Sequence, residues 1–324
     1  MKAIEVASAP TGHTPVLPEQ VAALLAVRPG DTVVDATVGL GGHARLLVDG
    51  LCRGGSHQGG GTFVGLDADP AQLDAVRDAL VAHAARVGAR SGGACRIETA
   101  HANFTELPTV LARLGIAQVD VLLVDLGVSS AQLADDARGF SFQHDGPLDM
   151  RLDPRLTVTA ADLVNRLKER ALGDLLFFNA QERAGRKIAK RICRARRDGR
   201  ITTTGQLVRI VSAATHVDPA SRRSRIHPAT RTFMALRIAV NDEIGALERL
   251  LASAPGLLAP GGRFGVIAFH SVEDKPVKVD FRNRQRDGIY QILTKRPVVA
   301  DETERRLNPR ARSAKLRVAV RLPA

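Results

Sequence analysis

The sequence predicts an α/β protein: an open, parallel, Rossmann-like sheet interrupted by an all-α insertion. Three observations carry this. Short apolar runs at Val33–Asp35, Thr62–Asp67, Cys95–Thr99 and Val119–Asp125 alternate with helical patterns, an order that asks for parallel strands joined by crossover helices. A glycine-rich turn follows the first run directly. From Thr159 to about Thr215 the pattern is helical, without strand-like alternation, and it is strongly basic.

The first strand ends in Asp35, and the turn reads Gly39-Leu40-Gly41-Gly42-His43 before Ala44-Arg45-Leu46-Leu47 opens a helix. Glycines here permit backbone angles closed to other residues and let a ligand approach main-chain N–H groups at a helix N-terminus. The loop therefore suits a nucleotide; a tight turn without ligand is the alternative. Its spacing can be fitted to the dinucleotide pattern, yet an acidic residue before the glycines and the extra Gly42 also match S-adenosylmethionine loops. The motif alone does not separate the two. The second strand ends in Asp67, placed to accept ribose hydroxyls. Asp69, before Pro70, already has a role as the N-cap of the next helix, so Asp67 is the better ligand.

The 324 residues, 44% hydrophobic, suffice for one large or two medium domains. No stretch has signal-peptide or membrane-spanning length, so a soluble, cytoplasmic protein without membrane contact is expected. Cys52, Cys95 and Cys193 are widely spaced, which gives no disulfide framework and no metal site. The formal charge of +12 is concentrated: Arg166 to Arg237 holds 18 Lys or Arg against 5 acids, leaving the remainder close to neutral. So one-sided an excess attracts phosphate, although a solvated helical face would also account for it.

In chain order, residues 1 to 12 read as a loose tail and Pro18–Leu25 as a proline-opened helix. Residues 50 to 61 are a glycine-rich surface insertion in which His57 is solvated. A helix from Ala71 to about Val87 precedes the third strand, and Phe104 just beyond it suits an adenine ring or the core equally. The fourth strand ends in Asp125. Phe140 and Phe142 follow on a glycine-flanked loop and would either stack on a base or plug a domain junction. Helices are expected at Ala160–Lys168, Leu172–Phe178, Glu182–Arg196 and Thr204–Ala214, and one long helix at Pro228–Leu251. Leu257–Gly262 reads as a turn, Arg263–Phe269 as a strand, and the last residues as a basic loop with a final strand. This gives core over 1–134, helical insertion over 135–222, and core again over 223–324.

The blocks His13-Thr14-Pro15-Val16-Leu17, Gly41-Gly42-His43, Asp125-Leu126-Gly127-Val128-Ser129-Ser130, Arg138-Gly139-Phe140-Ser141-Phe142, Gly146-Pro147-Leu148-Asp149-Met150-Arg151, His227-Pro228-Ala229-Thr230-Arg231-Thr232-Phe233, Phe269-His270-Ser271 and Asn308-Pro309-Arg310-Ala311-Arg312-Ser313 occur in order from residue 13 to the C-terminus. Together they closely resemble the bacterial small-subunit ribosomal RNA methyltransferase H, or MraW, family. The resemblance implies a class I S-adenosylmethionine-dependent methyltransferase with a helical substrate-recognition domain, acting on the exocyclic amino group of a cytidine in the decoding centre of 16S rRNA. It further implies that Gly41, Gly42, His43, Asp67, Phe104, Asp125 and Gln132 contact the cofactor. Two departures stand out: the long glycine-rich segment, and Pro276, which falls where relatives continue a helix ahead of a basic run that is shorter here.

Asp125 sits where amino-directed methyltransferases place an acidic residue, as acceptor for the amino proton or as a cofactor ligand only. Ser129, His144 and His270 are weaker proton-handling candidates. For the RNA, Phe140 and Phe142 would stack while Arg194, Arg196, Arg197 and Arg231 hold phosphates. The partner is 16S rRNA within the small subunit, and a homodimer stays open. A dehydrogenase, drawn from the glycines alone, leaves the basic segment without purpose. A non-catalytic RNA-binding assembly factor leaves Asp67 and Asp125 without one.

Overall fold

A computed structural model describes residues 14–52, 60–215 and 227–323; the N-terminal tail with His13, and His57 with most of the glycine-rich stretch, lie outside the described residues. The chain divides into two compact units, Met1–Gly127 with Ala246–Ala324, and Val128–Gly245.

In the first unit α1 (Pro18–Leu25), β1 (Thr32–Asp35), α2 (Gly42–Cys52), β2 (Gly61–Asp67), α3 (Pro70–Ser91), β3 (Cys95–His101), α4 (Leu107–Arg113) and β4 (Val119–Asp125) alternate as the periodicity requires. The helix starts follow local chemistry. Asp69 accepts the Ala71 N–H ahead of Pro70, and Gly92 ends the same helix at φ 74°. The second unit holds α5 (Ser130–Ala134), α6 (Ala160–Arg166), α7 (Glu169–Ala180), α8 (Gly185–Asp198), α9 (Thr204–Thr215) and α10 (Thr230–Val240). Then α11 (Glu243–Leu257) leads back to β5 (Leu258–Ala268), α12 (Ser271–Arg286), β6 (Tyr290–Ile292), α13 (Glu302–Leu307) and β7 (Lys315–Arg321).

The seven strands form one sheet in the order β3-β2-β1-β4-β5-β7-β6. The first five are parallel, as expected. At one edge the direction changes, where β7, the final strand, runs antiparallel to both β5 and β6. Val33, Val34, Phe63, Val64, Leu122, Leu123 and Phe264 are fully buried between helices on both faces, which explains their continuous apolar runs.

Other corrections are local. The helix expected over Pro228–Leu251 is two helices, broken at Asn241 and Asp242; Asp242 takes φ 48°. Asn241 turns its amide to Met150 O (2.8 Å) and accepts the Leu152 N–H (2.7 Å), bonds that no helical periodicity announces. The turn expected at Leu257–Gly262 is taken into β5, whose register against β4 shifts between Val119 and Val121. Pro276 lies inside α12 without ending it. Finally, the helical unit extends beyond 135–222. Phe233, Ala235 and Leu236 of α10 share a buried cluster with Leu172 and Leu176 of α7 and with Ile188 and Ile192 of α8, so α10 belongs with these helices rather than with the sheet. Among its described residues this unit forms helices and no strand, apart from an isolated bridge between Pro147 and Thr203.

Candidate cofactor site

The glycine turn lies beyond the carboxyl end of β1. Gly41 has φ +76°, and a Cβ there would stand 2.6 Å from Val76 Cγ1 on α3; no other residue fits this position without a shift. Gly42 begins α2 at the positive end of that helix and leaves room for the Pro15 ring, which a Cβ there would meet at 3.1 Å.

Asp67 has a structural task that sequence reasoning did not find. Its Oδ2 accepts the Gly39 N–H (2.7 Å) and its Oδ1 accepts the Asp69 N–H (2.8 Å). One carboxylate thereby ties the turn after β1 to the start of α3, and each oxygen keeps a second lone pair for a ligand hydroxyl. Burial raises the Asp67 pKa, while these two N–H groups oppose the rise.

A second carboxylate, Asp125, ends β4. Its backbone N–H donates to Thr37 Oγ1 (2.7 Å), its Oδ2 is 3.4 Å from His43 Nδ1, and its buried Oδ1 has no hydrogen-bond partner among the described residues. His43 Nε2 is 2.8 Å from Val16 O. A carbonyl only accepts, so Nε2 carries hydrogen, and Nδ1 can donate to Asp125 only when the ring is protonated. Burial disfavours that charge, but Asp125, then Asp35 and the Val16 carbonyl outweigh it and raise the His43 pKa.

Asp35, 1% exposed, is pushed up to about 7 by burial, against the pull of His43 and the Thr37 N–H. With the folded value above the unfolded one, its contribution to stability is complete below about pH 4 and is lost as pH rises through about 7. Asp35→Asn keeps an acceptor for Thr37 and has no charge to bury. Melting followed from pH 5 to 8 is expected to show the variant gaining on the parent up to about pH 7 and then levelling, by a few kcal/mol in all, on the order of 1.4 per pKa unit. A constant difference across that range would refute the assignment.

The end blocks of the sequence meet here as well. Asn308 Nδ2 donates to Thr14 O (3.1 Å), and Glu304 Oε1 accepts the Leu17 N–H (2.6 Å), which braces the segment that holds His43. Arg310 lies near enough for the Asp125 charge to oppose the lowering of its pKa by burial. Such contacts span nearly the whole chain, so only the motif blocks themselves hinted at them. His270 Nε2 lies 3.0 Å from Glu273 Oε1 at the start of α12. Cys52 and Cys95, distant in sequence, bring their sulfurs to 3.2 Å as free thiols.

The remaining candidates divide. Phe104 is half-buried beyond β3 and packs on the main core cluster. Gln132 lies in the helical unit, where its Oε1 accepts the Ser129 N–H (2.9 Å) within a capping box. Phe140 and Phe142 pack within the helical unit, Phe140 buried and Phe142 partly buried. Phe140 is buried with the Arg138 guanidinium over its ring, and Phe142 stacks on His227 at 4.5 Å and meets Phe233 edge-on at 5.1 Å. Arg196 is likewise structural, donating to Val164 O and Leu167 O (2.8 Å each), whereas Arg194, Arg197 and Arg231 are exposed. His144 is exposed, 3.0 Å from Asp136.

The group these residues suit is a charged nucleoside. Gly41 lets the turn close onto Val76 of α3, Asp67 retains acceptor capacity, and among the described residues a buried carboxylate oxygen of Asp125 stands unsatisfied. A sheet in this order with a reversed β7, and with its ligand loop after β1, is that of a class I methyltransferase, an enzyme whose methyl donor is S-adenosyl-L-methionine. Comparison with known proteins makes the assignment specific. Residues 10–322 match the MraW methylase family, and the chain belongs to it. It is 46% identical to a protein of Geobacter sulfurreducens (96% of this chain, 99% of that one), 45% to one of Acidobacterium capsulatum (95% and 97%) and 44% to one of Deinococcus radiodurans (98% and 93%). Each of the three is named ribosomal RNA small subunit methyltransferase H. No helix among the described residues is long and apolar enough to cross a membrane.

Proposed function

We propose that this enzyme methylates N4 of a cytidine in the decoding centre of 16S rRNA, with the small ribosomal subunit in the cytoplasm as its substrate. The observation that carries the reading is agreement along almost the whole chain with relatives named for small-subunit rRNA methylation. The unsatisfied Asp125 Oδ1 at the end of β4 supports it chemically.

S-adenosylmethionine, when bound, supplies a methyl group activated on a sulfonium. In this reading the main chain of Gly41, Gly42 and His43 would hold it together with Asp67 and Phe104. The cytosine amino lone pair is delocalised into the ring, so the protein must orient the nitrogen and draw on its N–H. Asp125 Oδ1 accepts that hydrogen bond, and the proton leaves the amino group toward it as the N–C bond forms. His43 keeps the other carboxylate oxygen engaged. Presentation of the base requires it to leave any stack, at a cost of about a few kcal/mol. Exposed cations of the helical unit, Arg194, Arg197 and Arg231 among them, hold the flanking phosphates.

Methyl-labelled cofactor incubated with small subunits lacking the modification tests this. Nucleoside digestion is expected to return the label as N4-methylcytidine at one position. Label in adenosine, at a ring carbon, or only in large-subunit RNA would overturn it.

A further inference from the structure

The aromatic surface lies at Phe177 and Phe178, away from the phenylalanines that the sequence singles out. They end α7, are 50% and 68% exposed, and meet edge to face with ring centroids 5.4 Å apart. Their backbone is held: Gln181 N–H donates to Phe177 O (2.7 Å) and Glu182 N–H to Leu176 O (3.2 Å). The first turn of α8 packs on the same stretch, since a Cβ at Gly185 would lie 3.0 Å from Gly173 O and 3.6 Å from Phe177 N. These rings thus stand in water on a held stretch of backbone, beside the start of the most basic helix among the described residues.

Around them the charge has one sign. Arg183, Arg186, Lys187, Lys190, Arg191 and Arg194 are exposed, and none has an ion-pair partner among the described residues. The only acid from 177 to 197, Glu182, is buried and accepts the Ala184 N–H (2.8 Å). Two copies meeting through such a face would bring like charges together. A polyanion carrying flat apolar rings matches both features, because phosphates meet the cations and a base meets the phenyl face.

We infer that Phe177 and Phe178 form a stacking platform for a single-stranded segment of the substrate RNA, with α8 holding its phosphates. This rests on the RNA reading above and adds to it a binding site apart from the methylated base.

The test is fluorescence anisotropy with a labelled 12-nucleotide single-stranded RNA, run beside methyl transfer to unmodified small subunits. Phe178→Ala and Phe177→Ala are each expected to weaken RNA binding roughly 5- to 150-fold, the worth of one base–aromatic stack, with the salt dependence unchanged. Phe178→Trp is expected to retain binding. Lys187→Gln with Lys190→Gln should instead flatten the salt dependence, by about 0.7 in slope for each phosphate contact removed. If both alanine variants bind RNA like the parent while the parent methylates subunits, the platform is wrong and the proposed function stands. If the alanine variants lose RNA binding but the parent transfers no methyl group, the platform stands and the proposed function falls. RNA binding absent in the parent overturns the platform.

Discussion

Replacing Asp125 by Asn is expected to lower kcat for methyl transfer by about 10²- to 10⁴-fold, the range for loss of a positioned proton acceptor. The amide preserves the size of the side chain, and the backbone bond from Asp125 to Thr37 Oγ1 is untouched, so the sheet keeps its register. What is lost is the charge that makes Oδ1 a strong acceptor and that raises the His43 pKa. Steady-state kinetics separate the two roles open to this residue. An acceptor acting only during transfer lowers kcat and kcat/KM together, whereas a cofactor ligand alone raises KM for S-adenosylmethionine and leaves kcat in place. The second result would move Asp125 out of the chemistry.

Asp67→Ala is expected to abolish S-adenosylmethionine binding in a titration, a loss of more than roughly 100-fold. The carboxylate is the common acceptor for Gly39 and Asp69, and two backbone donors left without partners cost about 1–3 kcal/mol each. Contacts to ribose hydroxyls would be lost in addition. Asp67→Asn, which keeps one acceptor oxygen, should fall between the parent and the alanine variant. Affinity in Asp67→Ala within a few-fold of the parent would refute both the ribose role and the importance of the tie between the turn and α3.

Asp67 also shows why part of the site was hidden in the sequence. Asp69 betrayed its task through Pro70, a neighbour one residue away, while the Gly39 N–H that Asp67 accepts lies 28 residues back. The same distinction separates the phenylalanines. Phe140 and Phe142 stood out because glycines flank them, yet they close onto Arg138, His227 and Phe233 in the core of the helical unit. Phe177 and Phe178 passed as part of an ordinary helical stripe, and only the packing of α8 on Gly173 and Leu176 shows that the end of α7 stays in solvent.

The alternation of strands and helices, the glycine turn between β1 and α2, the acidic ends of β1, β2 and β4, the concentration of positive charge, and the family were legible in the residues alone. All of these are encoded by residues close together in the chain, where periodicity, steric permission and charge count act directly. The reversal of β7, the break at Asn241, the assignment of α10 to the helical unit, and the joining of Val16, His43 and Asp125 emerge from packing. Each depends on a partner that is distant along the chain, and burial sets its energy: a carboxylate, an imidazole or a phenyl ring reads alike in sequence whether water or the core surrounds it.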